Sequence, residues 1–182
     1  MAYRRWLAAC AIGAALSLEG CFAAGVGGPP GPAEAGPGEV PFELGGQGGM
    51  AVVVPVRVNG QGPFDFVVDT GATLTCVDAT LADQLRLADK PGAIGQGAGI
   101  SGAGALRVVE IDSIEVGTAG ASDLTAAVVD LGNIRGAGLD VHGLIGLNYL
   151  KNYRVTFDFE RRMLELRDPD APPAPATTPG PR

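Results

Sequence analysis

Between residues 51 and 167 apolar side chains recur mostly at every second position, and glycine or a charged turn interrupts each run before it grows long. That period fits strands with one face in a core, and it leaves no room for the long alternating helices of a parallel α/β sheet. "MAVVVPVRVNG" closes on Asn59 and Gly60, and "GPFDFVVD" follows directly, so the pair reads as a hairpin. "TLTCVD" reads as a third strand. Asp78 then stands at a helix N-cap ahead of "ATLADQLRLA", where Leu81 and Leu85 share a face. Beyond a glycine-rich stretch at 95–104, "ALRVVEIDSIEVG" alternates again, with Leu106, Val108, Ile111, Ile114 and Val116 as inward candidates. "LTAAVVDLG" adds another strand. The segment "GLIGLNYLKNYRVTFDFERRMLEL" gives a buried "GLIG", a short helix around Leu147 to Lys151, and two strands folded back at Glu160 to Arg162. Twenty-nine glycines and 14 prolines supply the turns, and with only 5% aromatics the interior must be built from Val, Leu, Ile and Ala. An all-β domain is expected.

The ends of the chain have a different character. Residues 1–24 read as an export signal: Arg4 and Arg5, then the apolar run "WLAACAIGAALSL", too short to span a bilayer comfortably, then small residues. Leu18, Glu19, Gly20 and Cys21 resemble the lipobox of bacterial lipoproteins, with Glu19 departing from its usual small or aliphatic residue. Acylation of Cys21 ranks ahead of simple cleavage near Ala23 to Gly25, and the plain alternative is that Cys21 is one more small apolar residue. Leu7, Ala8, Ala9 and Cys10 fit the box better but precede any usable apolar stretch. Residues 25–40 are a Gly/Pro-rich linker, 41–167 the folded domain, and 168–182 a Pro-rich tail expected to be disordered. The expected location is periplasmic or extracytoplasmic, with Cys21 as a membrane anchor. Once the signal is removed Cys76 is the remaining cysteine, so neither an internal disulfide nor a Cys-based zinc site can form. Thirteen basic against 20 acidic residues, net −7, give no footprint for nucleic acid.

One position breaks the strand pattern. In "GPFDFVVDTGATLTCVD" the run through Val67 and Val68 stops at a carboxylate, Asp69, followed by Thr70, Gly71 and Ala72. "FVVDTGAT", a glycine-rich stretch after it, and "GLIGLNYL" some way further on together resemble the retropepsin-like branch of the aspartic proteases, over about residues 50 to 167. The resemblance implies a closed β-barrel of that type with one or two short helices, active as a homodimer. It makes Asp69 the catalytic acid and Thr70, Gly71 and Ala72 its support, with the Thr70 hydroxyl bonded across to the partner loop. Gly71 lets the backbone approach the carboxylate. Two such carboxyls held together share a proton, one acting as base on a water while the other protonates the substrate carbonyl; this protease class is itself the standard example of that effect. No cofactor and no metal are needed. The plain reading of Asp-Thr-Gly alone is a β-turn.

The motif occurs once, and the chain after it is too short for a second lobe. Its nearest mimic, "VVDLG" from Val128 to Gly132, lacks the hydroxyl residue and reads as a strand ending in a turn, part of a weak repeat at best. A second copy of the chain is then the source of the second acid, with a peptide or protein as substrate. The resemblance implies that "GQGAGISGAG" is a flap, a mobile hairpin tip closing over an extended peptide, through Gly97, Gly99, Ile100, Ser101 and Gly102; the plain alternative is a flexible surface loop with no substrate contact. Gly97, Gly99 and Gly102 also match G-x-G-x-x-G, but the alternation that follows is not the helix a dinucleotide site requires. His142 is the one histidine, so a Ser-His or Cys-His arrangement would have to bring Ser101 or Cys76 to it. A loop position near the cleft, with a structural or pH-tuning role, is the expectation for His142, and a buried apolar role for Cys76. The rival from another class is a non-catalytic module that binds peptides by strand addition.

Overall fold

The computed structural model describes residues 38–90, 95–99, 102–136 and 138–172; the stretch read as an export signal, Cys21, most of the stretch read as a linker, Ile100, Ser101 and the end of the tail lie outside the described residues. In chain order the elements are β1 (Glu39–Pro41), β2 (Glu43–Gly45), a 3-10 turn (Gln47–Gly49), β3 (Ala51–Val58), β4 (Gln61–Val68), β5 (Thr75–Asp78) and α1 (Ala79–Gln84). Then come β6 (Ala88–Asp89), β7 (Gly95–Gly99), β8 (Gly102–Leu106), β9 (Val108–Val116), β10 (Ala119–Val129), α2 (Gly132–Gly136), β11 (Gly143–Ile145), α3 (Leu147–Leu150), β12 (Arg154–Asp158) and β13 (Met163–Arg167).

Local chemistry accounts for the turns. Asn59 and Gly60 both take positive φ, 49° and 72°, which is the backbone a two-residue turn needs to match the twist of β3 and β4. Asp78 caps α1 by accepting the Thr80 amide at 3.0 Å, and Arg86 at φ 53° turns the chain out of the helix.

β3 pairs with β4, β4 with β11, β11 with β5, β5 with β10, β10 with β9, and β9 back with β3. The ring is closed, so the expected barrel is present, with no free edge along those strands. Two of the pairings, β4–β11 and β5–β10, are parallel and the rest antiparallel. The pattern reads the same if β3, β4 and β5 are exchanged for β9, β10 and β11. The repeat that looked weak in the sequence is therefore an organising feature of the fold. β2 and β6 extend the sheet beyond the ring.

Inside the barrel Val54, Val56, Val58, Phe66, Val77, Ile111 and Ile114 are fully buried, the Val/Ile interior that the composition requires. Strict alternation fails in β9: Val109 and Ile111 point inward, then Ile114 and Val116, so the parity changes around Asp112 and Ser113. There Asn59 and Ser113 bond to each other, Asn59 N to Ser113 O at 2.8 Å and Ser113 N to Asn59 Oδ1 at 3.0 Å. Leu106, expected inward, is only half-buried at the end of β8. The second sheet, in the order β1-β13-β12, buries Val40, Leu164 and Leu166 in the same core. β1 starts two residues inside the stretch read as linker, and Val40, 4% exposed, belongs to the folded body.

Candidate active site

Asp69 follows β4 directly. Its amide donates to Ile145 O at 3.0 Å, continuing the parallel pairing of β4 with β11 by one residue before the chain turns. The turn is closed by Gly71 N donating to Asp69 Oδ1 at 2.8 Å and Ala72 N to Asp69 O at 3.3 Å. A Cβ on Gly71 would lie 3.2 Å from that same Oδ1, so glycine is what permits the close amide. Asp69 and Ala72 are half-buried, while Thr70 and Gly71 are exposed. The loop thus presents one carboxylate, oriented by one backbone donor, on an open face.

Several residues that the sequence reading passed over hold this loop. Leu147 N donates to Ala72 O at 2.8 Å and Asn148 N to Thr73 O at 3.1 Å, so the first turn of α3 backs the loop. Thr75, fully buried, follows the loop and donates from its amide and its hydroxyl to Asn148 Oδ1, at 2.8 and 3.0 Å. Gly143 and Gly146 of "GLIG" are fixed by close packing: a Cβ on Gly146 would sit 2.5 Å from Leu74 O, and one on Gly143 would meet the Phe66 ring and stand 2.5 Å from Cys76 O. The signal was present in the quoted motif, but the partners lie on strands remote in sequence.

The mimic motif has the same turn. Gly132 N donates to Asp130 Oδ1 at 2.8 Å, as Gly71 does to Asp69. Topology nonetheless keeps the two acids apart. β11 runs parallel to β4, β5 antiparallel to β11, and β10 parallel to β5, so β4 and β10 run in opposite senses and their C-terminal ends leave opposite ends of the barrel. Asp130 cannot meet Asp69 within one chain. In place of an exposed threonine this loop has Leu131, buried, with its amide donating to Asp78 Oδ2 at 3.1 Å. Asp78 also receives Arg135 Nη2 at 2.8 Å. Burial alone would push the Asp78 carboxyl up; the Arg135 guanidinium and the amides of Leu131 and Thr80 outweigh it and hold the group below the usual carboxylate range.

The glycine-rich stretch forms an antiparallel hairpin, β7 with β8, in which Gly97 faces Gly104 and Gly99 faces Gly102. Strands on both sides of the glycines exclude the dinucleotide reading. Ile100 and Ser101, at the tip, lie outside the described residues. At the root Arg107 bridges Asp89 at 2.7 Å and Asp83 at 2.9 Å.

Two placements differ from expectation. His142 is not at the Asp69 end: its amide donates to Asp65 O at 2.8 Å, four residues back along β4, and its ring lies 5.6 Å from that of Phe64. Four residues of strand put it about 13 Å from the acid. Cys76 is half-buried rather than enclosed, and its Sγ approaches Leu74 O at 3.5 Å. Burial, and after it the Asp69 carboxylate, push the thiol up, which keeps it protonated and unsuited to nucleophilic work. No Cys-His pair forms among the described residues. Among the described residues no group of three or more His, Cys, Asp or Glu side chains is placed to hold a metal ion.

Comparison with known proteins gives a family match described as aspartyl protease over residues 54–149. Among solved structures, a retropepsin-like aspartic protease from Rickettsia conorii is 20% identical, covering 71% of this chain and 89% of its own, with a TM-score of 0.48. The retroviral protease-like domain of Ddi1 from Leishmania major is 16% identical, covering 65% and 93%, with a TM-score of 0.44. No curated protein matches the sequence.

Proposed function

This chain belongs to the aspartyl protease family, whose match spans more than half of it, and on that premise we propose that it is an endopeptidase working as a homodimer. Each protomer supplies one Asp69 to a site on the twofold axis. The observation that carries this reading is the Asp69 carboxylate oriented on an open loop, with its nearest internal mimic, Asp130, leaving the opposite end of the barrel. A pair of acids therefore has to come from two chains. Twofold contact between the loops would cover Thr70, Gly71 and the neighbouring Leu147, a large apolar side chain left 42% exposed beside Ala72.

In that site the two carboxyls share one proton. The ionised one takes a proton from a water molecule as the water oxygen bonds to the peptide carbon, and the protonated one gives its proton to the carbonyl oxygen. The carboxyl that took the water proton gives it to the leaving nitrogen as the C–N bond breaks, and a hydroxyl of the tetrahedral diol returns its proton to the other carboxylate, which restores the single shared proton. Water is the nucleophile, so no acyl-enzyme forms, and no cofactor takes part. The β7–β8 hairpin closes over an extended peptide.

The test is a peptide-library digest across pH by the purified mature domain, with Asp69→Asn as control. Cleavage sensitive to an aspartic-protease inhibitor and absent from D69N supports the reading; cleavage retained by D69N removes it. A folded wild type that cleaves nothing favours the strand-addition binding module. We propose further that residues 1–24 direct export and that Cys21 is acylated, which rests on the sequence alone and which the mass of the mature N-terminus tests.

A further inference from the structure

We propose that Asn148 is a positioning residue for Asp69, acting through the loop that ends at Leu74, with Thr75 as its partner; this rests on the protease reading above. Both ends of the Asn148 amide are engaged: Oδ1 accepts from Thr75 N at 2.8 Å and Thr75 Oγ1 at 3.0 Å, and Nδ2 donates to Thr125 O at 2.7 Å. The Thr75 hydroxyl in turn accepts from Gly146 N at 3.3 Å. One side chain thereby joins the strand that leaves the catalytic loop, the helix that backs it and β10, the neighbour of β5 in the ring.

The catalytic loop needs such a tie. Thr70, Gly71 and Thr73 are exposed, and the Asp69 carboxylate is oriented by an amide of its own loop, so that bond does nothing to fix the loop against the barrel. The fixing comes from Asp69 N to Ile145 O and from Leu147 N and Asn148 N to Ala72 O and Thr73 O. The last two hold only while α3 keeps its register on β5, and the Asn148 amide sets that register. An apolar residue would leave the Thr75 amide, with its buried hydroxyl, and the Thr125 carbonyl without these partners; an aspartate would keep the acceptor and lose the donor. Displacement of a reacting group by about 1 Å costs on the order of 100-fold in rate. Loss of the tie therefore falls on the chemical step rather than on peptide binding.

The experiment compares wild type with Asn148→Ala, Thr75→Val and Thr75→Ser in the mature domain. N148A and T75V are expected to lower kcat by about 10- to 100-fold with KM within about twofold, and T75S, which keeps the hydroxyl, to stay near wild type. The double variant N148A/T75V should be no worse than N148A alone, because both break one unit. Hydrogen exchange gives a readout independent of turnover: the amides of Asp69 and Leu147, which do not touch the Asn148 side chain, should exchange about tenfold faster or more in N148A while those of Leu164 and Leu166 in β13 stay unchanged. An inactive wild type would remove the protease reading and leave the exchange result to decide the positioning claim. Unchanged exchange at Asp69 and Leu147, equal acceleration throughout the molecule, or a rise in KM with kcat intact would overturn it.

Discussion

Asp69 and Asp130 each accept an amide from the glycine two residues on, at 2.8 Å in both cases, and the residue between decides what each turn can do. Thr70 is exposed, so its loop faces outward; Leu131 is buried and its amide is held by Asp78, so that loop is sealed into the body. The expected outcome is that D69N abolishes cleavage while D130N leaves it within about twofold of wild type, read as kcat/KM on one peptide. Asp78 sets a second test. Its carboxyl is depressed in the folded chain, so it adds stability that is present above the ordinary carboxylate pKa of about 4 and is lost as pH falls through the lower folded value. Urea midpoints between neutral and acid pH should decline more gently in D78N than in wild type, with D78N weaker at neutral pH by about 1–3 kcal/mol. Equal slopes would mean the Asp78–Arg135 pair does not govern acid stability.

β11 is three residues long, yet it sits between β4 and β5 and sets the level at which Asp69 leaves the sheet. Both glycines flanking "LI" are there because backbone or ring atoms fill the space a side chain would take. Gly146→Ala would drive its methyl into Leu74 and Thr75, backbone that cannot step aside, and should cost about 3 kcal/mol in a chemical denaturation curve. At this scale much was legible in advance. The Asn59-Gly60 turn, the capped helix at Asp78 and α3 each follow from a few adjacent residues, and so does the Asp69 turn, while the β7–β8 hairpin was expected only through the family resemblance. What was not legible depends on contacts across long stretches of chain. Thr75 and Asn148 are 73 residues apart and Asp78 and Leu131 are 53 apart, so neither pairing leaves a local period to read. The exchange of β3, β4 and β5 for β9, β10 and β11 was hidden for another reason. Hydrogen-bond topology is conserved between the halves while the side chains are not, as Thr70 and Leu131 illustrate. His142 was misplaced because nearness to "GLIG" in sequence says nothing about which end of a strand a residue occupies.

For the whole molecule, the closed ring pairs the backbone of the barrel strands within one chain, and on the proposed reading that chain carries one half of the catalytic pair. Activity should then depend on protein concentration more steeply than linearly as the protein is diluted toward the dimer dissociation constant. Leu147→Asp, which puts a charge on the exposed apolar side chain next to the catalytic loop, should weaken the dimer by about tenfold or more in sedimentation, with the monomer spectrum unchanged. An unaltered association constant would place Leu147 outside the contact. The most direct measurement is subunit mixing: wild type and D69N chains are unfolded together in varying ratio, refolded at constant total concentration, and assayed on one peptide. If each site takes one acid from each of two chains, activity falls as the square of the wild-type fraction. A fall in simple proportion to that fraction would mean that a lone chain cleaves, and the shared site would be wrong.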